Sequence, residues 1–387
     1  MTEELDTIVV GAGVIGLAIA WQASQQGQRV LVVDRDDPPR GASWVAAGML
    51  APVTEASFGE ERLLALNLES ARRYPAFVAG LEQASGMSLA SPVPGTLFVA
   101  LDRDRLEALH RLHEFQRSLG LEVEWLTGIE CRRREPSLHS STRAGVLVRG
   151  DREIDPRRLG RALRIALERS GGWVRVGVEV TEILVEDERA TGIRLAGGEQ
   201  LAAHTVVLAA GSWSGLIRGV PADVTAALRP VKGQILRLRP RMRAGGEPLT
   251  RHIIRTDEVY LVPRRDGELV VGATVEEQGF DTAITAGAVY ELLRAADEAA
   301  PGIRELELAE ASAGLRPATP DNAPLLGPTS IQGLVAATGH YRNGVLLTPV
   351  TADAIARLLV TGELDEVATP FSPGRFTPSR VHTAEVR

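Results

Sequence analysis

The sequence predicts an α/β protein: a unit built on a parallel sheet, assembled from separate stretches of chain, together with an α+β unit whose sheet is mostly antiparallel. Three observations predict it. A short β-branched run, Thr7-Ile-Val-Val10, leads at once into Gly11-Ala-Gly13-Val-Ile-Gly16 and then into helical periodicity. Segments of the same α/β habit recur in the middle of the chain and near its end. Between them lie stretches rich in β-branched residues and turn signals.

The elements follow in order. After the glycine turn, Leu17, Ala20, Trp21 and Ser24 recur at helical spacing up to Gly27, and Arg29-Val-Leu-Val-Val33 is a second strand ending at Asp34. Strand, glycine turn, helix, strand and acid make a βαβ unit of Rossmann-like type. Residues 62–85 read as helix, 95–101 as strand, and 102–119 as a charged amphipathic helix closed by Gly120. Residues 157–168 are helical, 173–186 and 192–195 β-rich, and 204–211 an apolar strand stopping on glycine. After Pro221 come antiparallel strands over 231–238, 260–263 and 268–273, the last two joined by the turn signal Arg-Arg-Asp-Gly267. A helix over 288–300, a strand over 305–313, a strand over 333–338, a turn over 339–344 and a helix over 350–359 complete the chain. The expected organisation is a discontinuous nucleotide-binding domain from 1–82, 150–222 and 314–369, a second domain from 83–149 and 223–313, and a flexible tail, 370–387.

Composition narrows the function. The chain has 387 residues, 44% of them hydrophobic and 24% charged, which supports a sizeable core. Its formal net charge of −7 argues against a nucleic-acid or anionic-membrane binder. Lys232 is the only lysine and Cys131 the only cysteine, so neither an intramolecular disulfide nor a multi-thiolate zinc site is available. The apolar run 7–21 is preceded by Glu3, Glu4 and Asp6, contains three glycines, and is short for a membrane span, so the expected location is cytoplasmic. His110 and His113 share one charged helix without an acidic cluster to complete a metal site, and Arg132-Arg-Arg134 reads as a solvated turn.

Five stretches carry chemistry. Gly11 allows a tight turn, Gly13 lets a pyrophosphate approach the backbone, and Gly16 lets helix and strand pack closely, while the helix N-terminus offers free N–H groups. Asp34 is placed to accept from ribose hydroxyls. The motif fits NAD and FAD alike. Gly41-Ala-Ser-Trp-Val-Ala-Ala-Gly-Met-Leu50 is a small-residue loop able to lie along an extended cofactor, although an ordinary loop reads the same way. The strand ending at Gly211 lets backbone pass close to a dinucleotide. In Gly314-Leu-Arg-Pro-Ala-Thr-Pro-Asp-Asn-Ala-Pro324, Pro317 is expected to end regular structure and fix Arg316 at the mouth of a loop, suited to holding a carboxylate bidentately. Taken alone, Arg316 also reads as a surface arginine. Finally, the glycine turn in Thr338-Gly-His-Tyr-Arg-Asn-Gly-Val-Leu-Leu347 offers N–H groups to an anion before a helix.

Together these stretches, with Ala46-Ala-Gly-Met-Leu50, Val259-Tyr-Leu-Val-Pro263, Val271-Gly-Ala-Thr274 and Gly339-His-Tyr-Arg-Asn-Gly344, resemble the FAD-dependent amine and D-amino-acid oxidase family from Asp6 to about Leu364. Within it they resemble the glycine oxidases of thiamine biosynthesis. The resemblance implies a glutathione-reductase-type fold and non-covalent FAD, since no cysteine matches a covalent attachment. It implies an FAD lining of Val14, Ile15, Asp34, Arg35, Ala42, Ser43, Ala47, Gly48, Met49 and the Val180 backbone, and a turn along the flavin of His340, Tyr341, Arg342, Asn343, Gly344, Val345 and Leu346. Arg316 would hold the substrate carboxylate with help from the Tyr260 hydroxyl, and Arg342 and Met49 would complete the substrate site.

The implied reaction passes hydride from an amino acid's Cα–H to flavin N5 without a side-chain base. It yields an imine, then 2-oxo acid and ammonia or thiazole precursor, and hydrogen peroxide from dioxygen. A homo-oligomer, a tetramer among the options, is also implied. Two positions depart from the pattern: Glu258 and Val275 stand where His and Met are common, which puts strict glycine specificity in question and leaves room for sarcosine or small D-amino acids. The competing readings are a D-amino-acid dehydrogenase or another FAD-dependent amine oxidoreductase of the same family, and a non-catalytic dinucleotide-binding redox module.

Overall fold

A computed structural model describes residues 5–89, 91, 93–241 and 248–376. Within them, the first sheet runs in the order Leu325–Pro328, Leu334–Thr338, Gln200–Leu208, Leu5–Val10, Val30–Val33 and Trp173–Arg175, with an antiparallel hairpin, Val180–Glu186 and Arg189–Leu195, paired to the start of Gln200–Leu208. Leu5–Val10 is parallel to both neighbours, with Val9 opposite Val32 and Val207. Its β-branched run is buried on both faces, as a central parallel strand requires. Val9 belongs to the cluster with Leu17, Ile19, Leu163 and Ile355, whereas Ile8 and Val10 face Ile183, Ile193 and Leu208. The helix Val14–Gln25 is apolar nearly all round because Pro156–Arg169 and Thr348–Thr361 pack against it.

The second sheet runs Leu306–Ala318, Arg229–Pro240, Leu269–Gly272, Tyr260–Pro263, Ile253–Arg255, Thr96–Ala100, Ala144–Val148 and Glu124–Thr127. It is antiparallel except where Ile253–Arg255 meets Thr96–Ala100. One face packs Leu236, Leu261 and Val271 under the helix Ala286–Ala299. The other face packs Ile235, Val262 and Val270 against Val45 and Ala47 of the small-residue loop. The two helix starts that the sequence marks with acids are capped: Asp102 accepts from the Arg105 N–H at 2.9 Å and Asp155 from the Arg157 N–H at 2.8 Å, with Pro156 at the first helical position.

Three expectations are corrected. Pro317 does not end regular structure: the strand Leu306–Ala318 continues through it, with Pro317 opposite Pro230. An edge strand tolerates the missing N–H, and the extended backbone demanded of a residue before proline is itself strand-like. Arg132-Arg-Arg134 is not a turn but the end of a short helix, Gly128–Arg134, which a reciprocal cap between Thr127 and Glu130 starts. The stretch expected as a loose tail from 370 is folded up to Phe376: Phe371 is buried, and Arg375 pairs with Asp321 at 2.9 Å. The rest of that stretch, 377–387, lies outside the described residues.

Candidate active site

The first strand delivers the chain to Gly11, whose φ of +107° is open to glycine, and a Cβ there would stand 2.5 Å from the Ala209 carbonyl oxygen. The helix Val14–Gln25 then starts at Gly13 with no side-chain cap and no acid in its first turn. Its positive end is therefore available to an anion. Around it, Asp34 accepts from the Ala12 N–H at 2.6 Å and the Asp36 N–H at 2.9 Å, and Ser43 accepts from the Val14 N–H at 3.1 Å.

The small-residue stretch is a short helix, Gly41–Val45, followed by a two-residue strand, Met49–Leu50, paired with Arg152–Glu153. Between them Gly48 has φ +74°, and a Cβ there would lie 1.9 Å from the Ile154 carbonyl oxygen. Arg264, buried at the end of the Tyr260–Pro263 strand, pairs with Glu153 and donates to the Ala47 carbonyl at 2.5 Å. Burial pulls its pKa down to about 10, so it remains a cation at neutral pH.

From the other end of the sheet comes the turn before Thr348–Thr361. Tyr341 takes φ +45° and donates its N–H to the Pro317 carbonyl at 2.8 Å. His340 is buried with Nε2 3.0 Å from the Thr351 hydroxyl, and burial pulls its pKa down to about 3, so it stays neutral. The backbone N–H groups of Gly344, Val345 and Leu346 have no acceptor among the described residues.

Arg316 lies across Gly233 of the neighbouring strand: a Cβ on Gly233 would stand 2.3 Å from its guanidinium. Its Nη1 donates to the Thr274 and Lys232 carbonyls at 3.1 and 3.3 Å, and among the described residues it has no carboxylate partner. Tyr260 packs its ring over Gly272. Burial pushes the Tyr260 pKa up, against the pull of the Arg316, Arg255 and Arg237 charges, so the hydroxyl is a neutral donor. Lys232 is buried, 2.7 Å from Asp281 and 3.8 Å from Glu276.

These groups line one cavity of about 660 Å³. It gathers Gly11, Gly13, Val14, Ile15, Asp34, Arg35, Ala42, Ser43, Ala47, Gly48, Met49, Val180, Gly211, Tyr260, Arg316 and the whole run His340–Leu346. Of the residues that the sequence reading assigns to cofactor or substrate, Gly16 alone does not line it. A Cβ on Gly16 would meet the Gly11 carbonyl oxygen at 2.0 Å, so its place is in helix–strand packing. Glu258 and Val275 also line the cavity, but Glu258 is tied to Arg105 and, at 2.9 Å, to Arg294. Sequence reasoning missed Gly233, Glu55 and Arg255. Glu55 bridges Arg255 and, at 3.4 Å, Arg342. No local motif marks these residues, because the contacts join distant parts of the chain. No group of three or more His, Cys, Asp or Glu suited to a metal occurs among the described residues, and no helix there is long and apolar enough to cross a membrane.

The chain matches the family described as FAD dependent oxidoreductase over residues 6–358, and it belongs to that family. Its relatives are more particular. It is 32% identical to a glycine oxidase of Geobacillus kaustophilus, covering 96% of this chain and 97% of the relative. The crystal structure of glycine oxidase from Geobacillus kaustophilus superposes with a TM-score of 0.87 at 31% identity, covering 97% of this chain and all of that one. It is also 33% identical to the bifunctional protein ThiO/ThiG of Trichormus variabilis, over 98% of this chain but only 57% of that longer protein.

The residues present fit FAD. One helix N-terminus without a cap from its own first residue and one turn with free N–H groups, suited to a pyrophosphate and to an electron-rich ring edge, border the same cavity.

Proposed function

We propose that this protein is a glycine oxidase that also accepts small amines such as sarcosine, and that it supplies the thiazole branch of thiamine synthesis. The single observation that carries the reading is Arg316, a cation without an acidic partner among the described residues, held beside the Tyr260 hydroxyl in the cavity that also meets the helix N-terminus at Gly13 and the Gly344–Leu346 turn. FAD would be held by Gly11, Gly13, Asp34, Ser43, the Ala47–Met49 backbone and the Gly344–Leu346 N–H groups. It would supply the two-electron acceptor and be reoxidised by dioxygen to give hydrogen peroxide.

Arg316 pairs with the substrate carboxylate, and Tyr260 donates its O–H to the same group. The two contacts fix Cα relative to the cavity wall, so the gain is one of position and orientation. The substrate reacts with its amine neutral. No side-chain base is required, and His340, with its depressed pKa and its bond to Thr351, is unsuited to be one. The imine product takes up water to give glyoxylate and ammonia. Arg342 and Met49 border the substrate. Assembly as a homo-oligomer and a cytoplasmic location belong to the same reading, and light scattering and cell fractionation test them.

The decisive experiment is an anaerobic visible spectrum before and after adding glycine. Bleaching of a flavin band, with recovery and peroxide on admitting air, is expected. A flavin band that neither glycine nor sarcosine bleaches refutes the assignment.

A further inference from the structure

Resting on that reading, we infer that Glu55 sets the number of carboxylates this pocket accepts: it bridges Arg255 and Arg342 and occupies the position where they would take a carboxylate, so that Arg316 is left as the one guanidinium of the three open to an anionic substrate. Arg316, Arg255 and Arg342 all line the cavity. The charges of Arg316 and Arg255 both act on the Tyr260 hydroxyl, and the charge of Arg342 acts on Arg255, so the three form one electrostatic group. Arg255 stays protonated even though burial and Arg342 pull its pKa down to about 10. Against these three positive charges stands one carboxylate, Glu55, whose side chain is only 10% exposed and touches both Arg255 and Arg342. The other acids on this wall are engaged elsewhere: Asp257 and Glu258 pair with Arg105, and Glu258 also with Arg294.

One carboxylate against three guanidiniums would leave room for two substrate carboxylates by charge alone. Geometry restricts the count to one. Glu55 presents one oxygen to each of two arginines, in the bridging position a second substrate carboxylate would need. A dicarboxylate would therefore meet the largely buried Glu55 carboxylate at close range with like charge, and the two would repel. Glu258, the acid that sequence reading singles out for charge preference, is held by two arginines toward the rim. The discriminating acid is Glu55.

The test uses holoenzyme and two unreactive ligands, acetate and malonate, with dissociation constants read from perturbation of the flavin absorption. Wild type is expected to prefer acetate, and Glu55→Gln to shift the acetate-to-malonate preference toward malonate at least tenfold. Glu258→Gln is expected to shift it less than threefold. Should Glu55→Gln fail to fold because it strands Arg255, Arg342→Gln probes the balance from the opposite side: it removes one positive charge from the group while Glu55 stays, and malonate is expected to weaken at least threefold relative to acetate. A Glu55→Gln enzyme with the wild-type preference, or one that loses both ligands equally, overturns the inference, as does an Arg342→Gln enzyme with unchanged preference. A wild type that binds neither ligand overturns the oxidase reading and this inference with it. Wild type that binds both equally overturns this inference alone.

Discussion

Replacing Gly233 by alanine separates the work of Arg316 from the integrity of the sheet. The new methyl would lie 2.3–2.4 Å from three atoms of the Arg316 guanidinium. Ordinary carbon contacts need about 3.5 Å, so the group must retreat by roughly 1 Å or more. The backbone at Gly233 is not left-handed, and the obstructed atoms are the far end of a flexible side chain, so the strand itself has no reason to break. What is lost is the seat of the guanidinium on the Thr274 and Lys232 carbonyls, and with it the alignment of the substrate carboxylate. Misplacement by about 1 Å can cost on the order of a hundredfold in rate, or about 3 kcal/mol. Steady-state kcat/KM for glycine should fall on the order of a hundredfold, while the midpoint of thermal unfolding and the flavin content stay near wild type. Normal kinetics in a folded Gly233→Ala enzyme would refute the role given to Arg316, and a collapse in stability would refute the argument that only its tip is displaced.

Other outcomes follow from single contacts. Tyr260→Phe removes one neutral donor and should raise KM for glycine roughly fivefold, equivalent to about 1 kcal/mol, with little change in melting temperature. Gly48→Ala places a Cβ 1.9 Å from a backbone oxygen at a left-handed position, and should lower both FAD retention on dialysis and stability, by more than about 2 kcal/mol in urea unfolding. Asp151 is buried with one oxygen on the Thr54 hydroxyl, and burial pushes its pKa up to about 7. A raised carboxyl favours the fold below its unfolded value of 3.8, and that contribution is lost as pH rises toward about 7, amounting to about 4 kcal/mol at about 1.36 kcal/mol per pH unit. Asp151→Asn should therefore gain stability over wild type at pH 8 but not at pH 4, as read from urea midpoints; an equal difference at both pH values would exclude the titration. Cys131 is buried, with its thiol pushed up to about 11, so a thiol reagent should label the protein only after denaturation.

What the sequence made legible depends on how far each contact reaches. The turn at Gly11–Gly16 is readable because much of the requirement is local: Gly11 takes a positive φ, Gly16 packs directly on the Gly11 carbonyl, and the flanking strands announce themselves by β-branched runs. Tyr260–Pro263 is readable for the same reason, with its Asp-Gly turn beside it. Arg316 was readable as a residue but not as a strand position. Pro317 signals a stop unless the strand is known to lie at the sheet edge, and edge position is a property of the whole sheet. Gly233, Glu55 and Arg255 are silent in the sequence because each matters only through a partner brought near by the fold. Glu258 shows the converse: it stands where the pattern suggests influence, and two long-range ion pairs remove it.

Lys232 carries a consequence for the protein's own survival. The proposed product, glyoxylate, is an aldehyde that condenses with amines. In this chain the one lysine amine is shut away, buried and clasped between Asp281 and Glu276. Every other basic side chain is a guanidinium or an imidazole, neither of which forms a Schiff base readily at neutral pH. The chain terminus apart, the enzyme offers its reactive product no accessible amine to adduct. The same property makes amine-directed cross-linkers blind to its assembly: such reagents would leave separate subunits on a denaturing gel whatever the state in solution.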